Sequence, residues 1–266
     1  MKPFLLGAAS AAALATSALA GGHAFNMTVA GTYESGVYFD GAAEIAAYDT
    51  AGQRIFFVNG ADKTIDALDA SNPAAMTKIG SYTVGKLNSI AVANGVVAAA
   101  VEGEGRGKVV FMSTDGEMMG EAEVGYLPDA VALTKDGALA VVANEAEPSD
   151  DFKNDPEGTI SIVDVKSLEV TEITFDGVEV MGTGLHLPSP AGTTLAQDLE
   201  PEYPTISPDG KTAYVTLQEN NAIAIVDLET KTLTGVKALG YQDYNQFDID
   251  ASNKDGGINF GRYNVW

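Results

Sequence analysis

The segment Pro128–Val165 reads PDAVALTKDGALAVVANEAEPSDDFKNDPEGTISIVDV. It opens with a short apolar run, turns at Asp136-Gly137 and continues into a second apolar run. Asp-Gly tolerates the positive φ that a tight β-hairpin needs. A polar loop then leads to TISIVDV, in which apolar and polar residues alternate as they do in a strand. The segment therefore predicts three consecutive β-strands.

The same order of strand, turn, strand, loop and strand recurs in three other segments, which begin near Ala43, Asn88 and Pro201. Their turns fall at Ala51-Gly52, Asn94-Gly95 and Asp209-Gly210, and AIAIVDL at 222–228 nearly repeats TISIVDV. A fourth strand closes each unit. Four strands in roughly 40 residues are typical of a β-propeller blade. A β-sandwich, the competing fold, also has many short strands but does not predict this fixed order.

The sequence thus predicts an all-β protein, a β-propeller with about four four-stranded blades. We expect the blades at approximately 43–86, 87–126, 127–176 and 200–240, with insertions at 145–157 and 177–199. Ala24–Ser35 reads as a further strand ahead of the first blade, and helix content should be very low. Because no closing strand follows the fourth blade, we expect the propeller to be incomplete at its C-terminus and part of a larger one.

The first twenty residues are typical of a signal peptide. Lys2 gives a basic start, an apolar stretch follows, and Ala18–Ala20 provides small residues before a cleavage point at Gly21. The alternative is a buried N-terminal helix. The pattern favours export to a periplasmic or extracellular location, a propeller domain at 21–266, and a mature chain without a membrane span, since no later stretch reaches the about 20 apolar residues required.

The amino-acid composition argues against several classes of function. The formal charge is −22, so nucleic-acid binding, which needs a basic surface, is not expected. Adaptation to salty surroundings is an alternative cause of this charge. There are no cysteines and only two histidines, which excludes thiol chemistry and a three-histidine zinc site. No motif indicates an organic cofactor.

The loop that follows Asn144 carries six carboxylates in the thirteen residues 145–157, offset only by Lys153. Ca²⁺ prefers six to eight oxygen ligands of this kind. The sequence therefore predicts a Ca²⁺ site in this loop, and the alternative is a solvated acidic loop. The predicted metal ligands are Glu145, Glu147, Asp150, Asp151 and Asp155.

Loops at the same place in successive blades open on one face of a propeller near its central channel. EGEGRG in blade two and QENN in blade four correspond to the acidic loop in blade three. We expect Glu145 and Glu147 to meet residues of those loops, and Arg106 either to pair with a carboxylate or to orient a phosphate. The predicted ligand-binding face consists of Glu102, Glu104, Arg106, Asn144, Glu219 and Asn220.

Other chemical motifs are weak. No Gly-x-Ser-x-Gly nucleophile elbow or phosphate-binding loop is present. His186 between two leucines is expected to be structural. DIDASNKDGG at 248–257 has the start of an EF-hand spacing but lacks its glycine and its final glutamate, so it is either an irregular cation loop or a polar turn.

Several stretches resemble the choice-of-anchor I family: ANEAEPSDD…DPEGTISI, VEGEGRGKV, LEPEYPTISPDGKTAYVTLQENNAIAIVDL and ALGYQDYNQFDIDASNKDGGINF. In this chain Ala146 stands where such relatives usually have glycine. The resemblance implies a secreted propeller similar to mesenchyme-specific cell-surface glycoproteins and to atypical alkaline phosphatases. It also implies that this chain is the N-terminal half of such a propeller. The strand–SPDG–strand pattern is also similar to seven-bladed, YVTN-like propellers.

Three functions remain open at this point. The first is an exported acidic binding protein, calcium-associated, that holds a ligand, surface polymer or protein on its loop face. The second, implied by the resemblance, is a metal-dependent, alkaline phosphatase-like phosphoesterase in which clustered carboxylates hold the metal. The third is a structural surface or matrix protein.

Overall fold

The computed structural model describes residues 27–38, 40–149, 151–252, 254 and 256–262, which form four sheets in succession. Within the first two sheets the strands pair antiparallel in chain order. Blade one contains β1 (Ala46–Asp49), β2 (Arg54–Asn59), β3 (Thr64–Asp69) and β4 (Thr77–Thr83), with a 3₁₀ turn at Pro73–Ala75, and blade two contains β5 (Leu87–Ala93), β6 (Val96–Val101), β7 (Arg106–Ser113) and β8 (Met118–Tyr126).

Blades three and four repeat this meander around two insertions. Blade three contains β9 (Pro128–Leu133), β10 (Leu139–Asn144), β11 (Thr159–Asp164) and β12 (Val170–Ile173). The second insertion contains β13 (Val180–Met181) and the single-turn helix α1 (Leu195–Asp198). Blade four contains β14 (Pro204–Ile206), β15 (Thr212–Leu217), β16 (Ala222–Asp227) and β17 (Thr232–Ala238), and β13 pairs parallel to β17 as a fifth strand. A two-stranded ribbon follows, with β18 (Ile249–Asp250) and β19 (Phe260–Gly261).

The four first strands stand next to one another around the axis, β1 beside β5, β5 beside β9 and β9 beside β14. This arrangement confirms the predicted all-β propeller. Each blade presents its first strand to the centre and its fourth strand to the periphery.

The core lies between blades, and the two-residue period of the strands explains it. All six residues of β6 are buried, but alternate side chains enter different clusters. Val97 and Ala99 pack with Phe56 of blade one, whereas Ala98 and Ala100 pack toward blade three. A strand buried on both faces reads as a continuous apolar run, which is why VVAAAV lacks the polar alternation of an edge strand.

One local prediction was wrong. The described part of the expected first strand, Met27–Ser35, has no strand. Met27 and Val29 are exposed, and the segment is held instead by Tyr33, whose ring lies 6.0 Å from that of Phe57. The first hairpin turns at Ala51-Gly52 as predicted; Gln53 adopts the left-handed conformation, and the Asp49 carboxylate accepts hydrogen bonds from the amides of residues 51 and 52.

Among the described residues, no helix has the length and apolar character needed to cross a membrane.

Candidate functional site

One end of the propeller collects two kinds of connection, the loops between the second and third strands of each blade and the links from one blade to the next. Backbone hydrogen bonds tie the two together. The amide of Glu102 donates to the Lys86 carbonyl at 2.8 Å, and that of Glu145 to the Leu127 carbonyl at 2.9 Å. We call this end the loop face. Residues far apart in the chain therefore meet there.

Six carboxylates crowd together on the loop face with no cation among them. The electrostatic influence of Glu147 reaches four of the others, which shows how closely the group is packed. Within the described residues, none of the six side chains has an ion-pair or hydrogen-bond partner. The six, called the acidic cluster below, are Asp129, Glu145, Glu147, Glu200, Glu202 and Glu219.

The six side chains of the acidic cluster lie at different depths below the protein surface. Glu147 and Glu219 are exposed at its rim, and Asp129, Glu145 and Glu202 are half-buried. Glu200 forms the floor, with only 8% of its surface exposed. Such a gradient describes an open basin with Glu200 at its bottom.

Burial and mutual repulsion shift the ionisation of the deeper members. Burial, reinforced by the nearby charge of Glu147, raises the pKa of Glu145 to about 8. Burial, with Glu219 as the next cause, raises the pKa of Glu200 to about 7. The pKa values of Asp129 and Glu202 are raised for the same reasons, burial first. Near neutral pH the cluster therefore holds protons that isolated carboxylates would have lost.

Ala146 shapes the entrance of the acidic loop. It is buried and adopts a left-handed conformation with φ 59°. This conformation is costly for a residue with a Cβ atom and concentrates at functional sites. The turn it makes lets Glu145 and Glu147 both face the cluster.

Glu145 and Glu147 are brought together as predicted, but the other predicted metal ligands lie apart from them. Asp151 is exposed and pairs with Lys153 at 2.6 Å. Asp155 lies deeper, next to Asp198, and its Oδ1 is buried with no hydrogen-bond partner in the described structure. Asp150 lies outside the described residues. Nowhere in the described chain do three histidine or acidic side chains converge closely enough to hold a metal ion as they stand.

Of the predicted binding-face residues of blade two, Glu102 lies near the cluster, because its charge contributes to the raised pKa of Asp129, but its own carboxylate pairs with Lys86 at 2.7 Å. Glu104 is exposed. Arg106 begins β7 and pairs with Glu123 and with Glu172 of the next blade, its guanidinium 5.9 Å from the centre of the Tyr126 ring. Its charge is therefore engaged between neighbouring blades.

The two predicted asparagines are buried and serve the fold. The Asn144 amide donates to the hydroxyls of Thr159 and Ser161 on the adjacent strand, at 3.1 and 3.0 Å. Asn220 accepts the amide of Glu200 at 3.0 Å and donates to the carbonyls of His186 and Asp198 at 3.2 and 2.6 Å. Asn220 thus fixes the backbone on both sides of the cluster floor.

The two insertions are joined to each other beside the cluster. Thr194 and Gln197 form a capping box on α1, and the Gln197 side chain donates to the Asp155 carbonyl at 2.8 Å. The amide of Gly158 donates to the Ala196 carbonyl at 3.2 Å. This junction brings Asp155 next to Asp198, which is 5% exposed.

Sequence reasoning missed three members of the cluster, Asp129, Glu200 and Glu202. A signal was present, because Pro128-Asp129 and Pro201-Glu202 enter the innermost strands of blades three and four at equivalent places. That repeat places carboxylates on the rim of the channel. Glu200 had no such signal, since its depth depends on the path of the second insertion.

The remaining candidates have local partners. The His186 ring is exposed and its Nδ1 lies 2.8 Å from the Glu219 carbonyl. Asp248, at the start of the EF-hand-like stretch, pairs with Arg262 at 3.0 Å. Asn253 and Asp255 of that stretch lie outside the described residues.

A cavity of 560 Å³ lies at the opposite end of the propeller, among the hairpins that join first and second strands. Its acidic residues include Asp136 and Asp209, each of which accepts a hydroxyl hydrogen bond, from Thr134 and Ser207 respectively. These carboxylates are committed to their turns, whereas those of the acidic cluster have no partner. We therefore locate the candidate site on the loop face.

Comparison with known families agrees with this architecture. Residues 44–266 match the choice-of-anchor I domain. The chain belongs to the choice-of-anchor I family. No curated protein matches the chain.

Similar folds occur among solved structures at low sequence identity. The hydrazine synthase of Kuenenia stuttgartiensis matches with a TM-score of 0.55 at 16% identity, over 77% of this chain and 52% of that one. A functionally unknown protein from Desulfotomaculum acetoxidans matches with a TM-score of 0.52 at 12% identity, over 73% and 56%. The β-propeller domain of Cps50 (Swd1) from Myceliophteria thermophila matches with a TM-score of 0.52 at 12% identity, over 75% and 56%. This choice-of-anchor I chain thus spans about half the length of these structures, and the likeness shows the fold alone.

Proposed function

We propose that this choice-of-anchor I domain is the binding module of an exported protein and holds a cationic ligand, or a partner bearing cationic groups, on its loop face. The observation that carries the proposal is the acidic cluster, whose carboxylates have no cation or hydrogen-bond donor in the described structure. Clustered like charges destabilise a fold unless something neutralises them. A positively charged ligand would supply the missing partners.

Export is supported by the N-terminal pattern of residues 1–20, which lie outside the described residues, and by the family. The acidic composition fits a protein that works in solution or on a surface rather than on nucleic acid. The partner belongs to the classes a propeller face accommodates, a small ligand, a surface polymer or a protein.

Calcium association is a separate part of the proposal, and it rests on the junction between the two insertions. The buried, unpartnered Oδ1 of Asp155 faces the charge of Asp198. Ca²⁺ accepts carboxylate and backbone carbonyl oxygens in flexible geometry, and the turns of both insertions carry such carbonyls. An ion there would neutralise the pair and fix the rim of the loop face.

The calcium proposal is tested by thermal unfolding with Ca²⁺ or with a chelator. We expect Ca²⁺ at about 100 times its Kd to raise Tm by about 5 °C or more. Asp155→Asn should abolish this response. The matched control is Asp151→Asn, the same change in the same loop at an exposed carboxylate, which should respond like the wild type.

A wild-type protein with the same Tm in Ca²⁺ and chelator would remove calcium from the proposal. An Asp155→Asn variant that still responds fully would move the site elsewhere.

The phosphoesterase hypothesis keeps one observation in its favour. Glu145 and Glu200, with pKa values raised to about 8 and about 7 by burial, titrate in the range that suits general acid–base catalysis. Phosphomonoester and phosphodiester hydrolysis should therefore be assayed on the same samples. Turnover that Glu145→Gln abolishes and the remote control Glu117→Gln preserves would establish an enzyme, whereas absence of turnover with intact ligand binding would establish a binding protein.

A further inference from the structure

The floor of the acidic cluster is the feature that most requires a ligand. Glu200 is more than nine-tenths buried, yet its carboxylate has no hydrogen-bond or ion-pair partner among the described residues. The charges nearest to it are those of Glu219, Glu147, Asp198 and Glu202, all of its own sign. Solvent still reaches its carboxylate oxygens, but a charge that has lost much of its hydration and has no partner is costly. The native protein therefore carries a destabilising group that faces an open basin.

The layout of the basin favours an extended ligand over a single ion. The carboxylates come from four separate parts of the chain, the entry to β9, the loop after β10, the link before β14 and the turn after β15. No three of them, as placed, surround one point closely enough for a metal. They descend from an exposed rim to a buried floor, so a ligand that satisfies them all must itself be long.

Ammonium groups fit these requirements better than other cations do. Each ammonium donates three hydrogen bonds and imposes little geometry of its own, so several along one chain can meet carboxylates at different depths. Hydrogen bonds between charged partners are also the strong ones. A guanidinium is less suited, because its rigid fork asks for two acceptor oxygens in one plane.

We infer that the acidic cluster binds a linear polyamine, with one ammonium group between Glu200 and Glu202 and others at the rim formed by Glu147 and Glu219. This inference rests on the proposed function, of which it specifies the ligand class. Its test can be distinguished from that of calcium, because Asp155→Asn, the variant that removes the calcium site, leaves every carboxylate of the acidic cluster in place.

The test is isothermal titration of the full chain with spermine and with putrescine at pH 8.5, where the cluster is most fully charged. We expect spermine to bind with a stoichiometry of one and more tightly than the two-charge putrescine by tenfold or more. Glu200→Gln with Glu202→Gln should weaken spermine binding by about tenfold or more, since two charge-assisted contacts are lost.

The matched control is Glu117→Gln with Glu169→Gln, which removes the same charge from exposed turns at the opposite end of the blades. It should leave spermine affinity within about twofold of the wild type. The Tm of both double variants without ligand shows that they fold, and the cluster variant should melt higher because repulsion is removed.

Three results would overturn the inference. Equal losses in the cluster and control variants would show diffuse attraction to an acidic surface. Several equivalent spermine sites would also show diffuse attraction to an acidic surface. Binding of an amino-free cation such as Ca²⁺ at the cluster, lost in Glu200→Gln with Glu202→Gln and unaffected by spermine, would overturn the polyamine while leaving the proposed binding function intact.

Discussion

At the scale of single residues, the acidic cluster is a site that the protein retains although it lowers the stability of the fold. Glu145 is the clearest case, because burial and the charge of Glu147 raise its pKa to about 8. A carboxyl whose folded pKa lies above its unfolded value binds more protons in the folded state. Its favourable contribution is complete below the unfolded pKa and is lost as pH rises through the folded value.

Glu145→Gln should therefore stabilise the protein at pH 8.5 and have little effect at pH 5. We expect a gain of about 1–2 kcal/mol at the higher pH, well below what the full shift implies, because the exposed part of the side chain is screened by solvent. Urea unfolding at the two pH values measures it. Glu117→Gln, at an exposed turn, should change neither value, and a Glu145→Gln variant less stable at pH 8.5 would contradict the repulsion.

At the scale of elements, the cluster depends on how the second insertion is attached to blade four. Asn220 is fully buried in the turn between β15 and β16 and bonds to the backbone of three residues of the insertion and the following link. Among them is the amide of Glu200, so one side chain holds the cluster floor in place. The adjacent helix α1, with its capping box, connects the same insertion to the acidic loop.

Asn220→Ala should leave the Glu200 amide and the Asp198 carbonyl without partners and cost about 3 kcal/mol of unfolding free energy. Chemical denaturation measures this cost. Gln218→Ala, at an exposed position of the same turn, should change stability by less than about 0.5 kcal/mol. An Asn220→Ala variant as stable as this control would show that the insertion is held by other contacts.

At the scale of the whole molecule, the repeat made the fold predictable. It allowed prediction of only those parts of the site that recur with the blades. TISIVDV and AIAIVDL become β11 and β16 because a strand buried between blades has a sequence pattern of its own. Loops that repeat with the blades, such as the one carrying Glu145 and Glu147, could be assigned to one face. The depth of Glu200 and the burial of Asn220 could not, since both depend on the insertion at 177–199, which no repeat constrains. The residue type of Ala146 gave no sign of its left-handed conformation, whereas the glycine that is usual at this position in similar proteins did.

The pH dependence of the stability of the whole molecule should also reflect these shifted carboxyl pKa values. Two sets of carboxyls oppose each other. Hydroxyl hydrogen bonds from Thr134 and Ser207 lower the pKa values of Asp136 and Asp209, and their contribution is present above the unfolded pKa of about 3.8 and is lost as pH falls below it. Glu200 and Glu145 have pKa values raised to about 7 and about 8 by burial, and their contribution is lost as pH rises through those values.

We therefore expect Tm to be highest at about pH 4.5, to fall as pH rises from there to about 8, and to fall on the acid side as well. The alkaline fall should shrink when salt is raised from 20 mM to 500 mM at pH 8.5, because screening weakens repulsion across the exposed part of the cluster. It should shrink further with the Glu200→Gln, Glu202→Gln double variant, and not with the Glu117→Gln, Glu169→Gln control. An alkaline fall of equal size in both variants would mean that it arises from the net charge of −22 rather than from the acidic cluster.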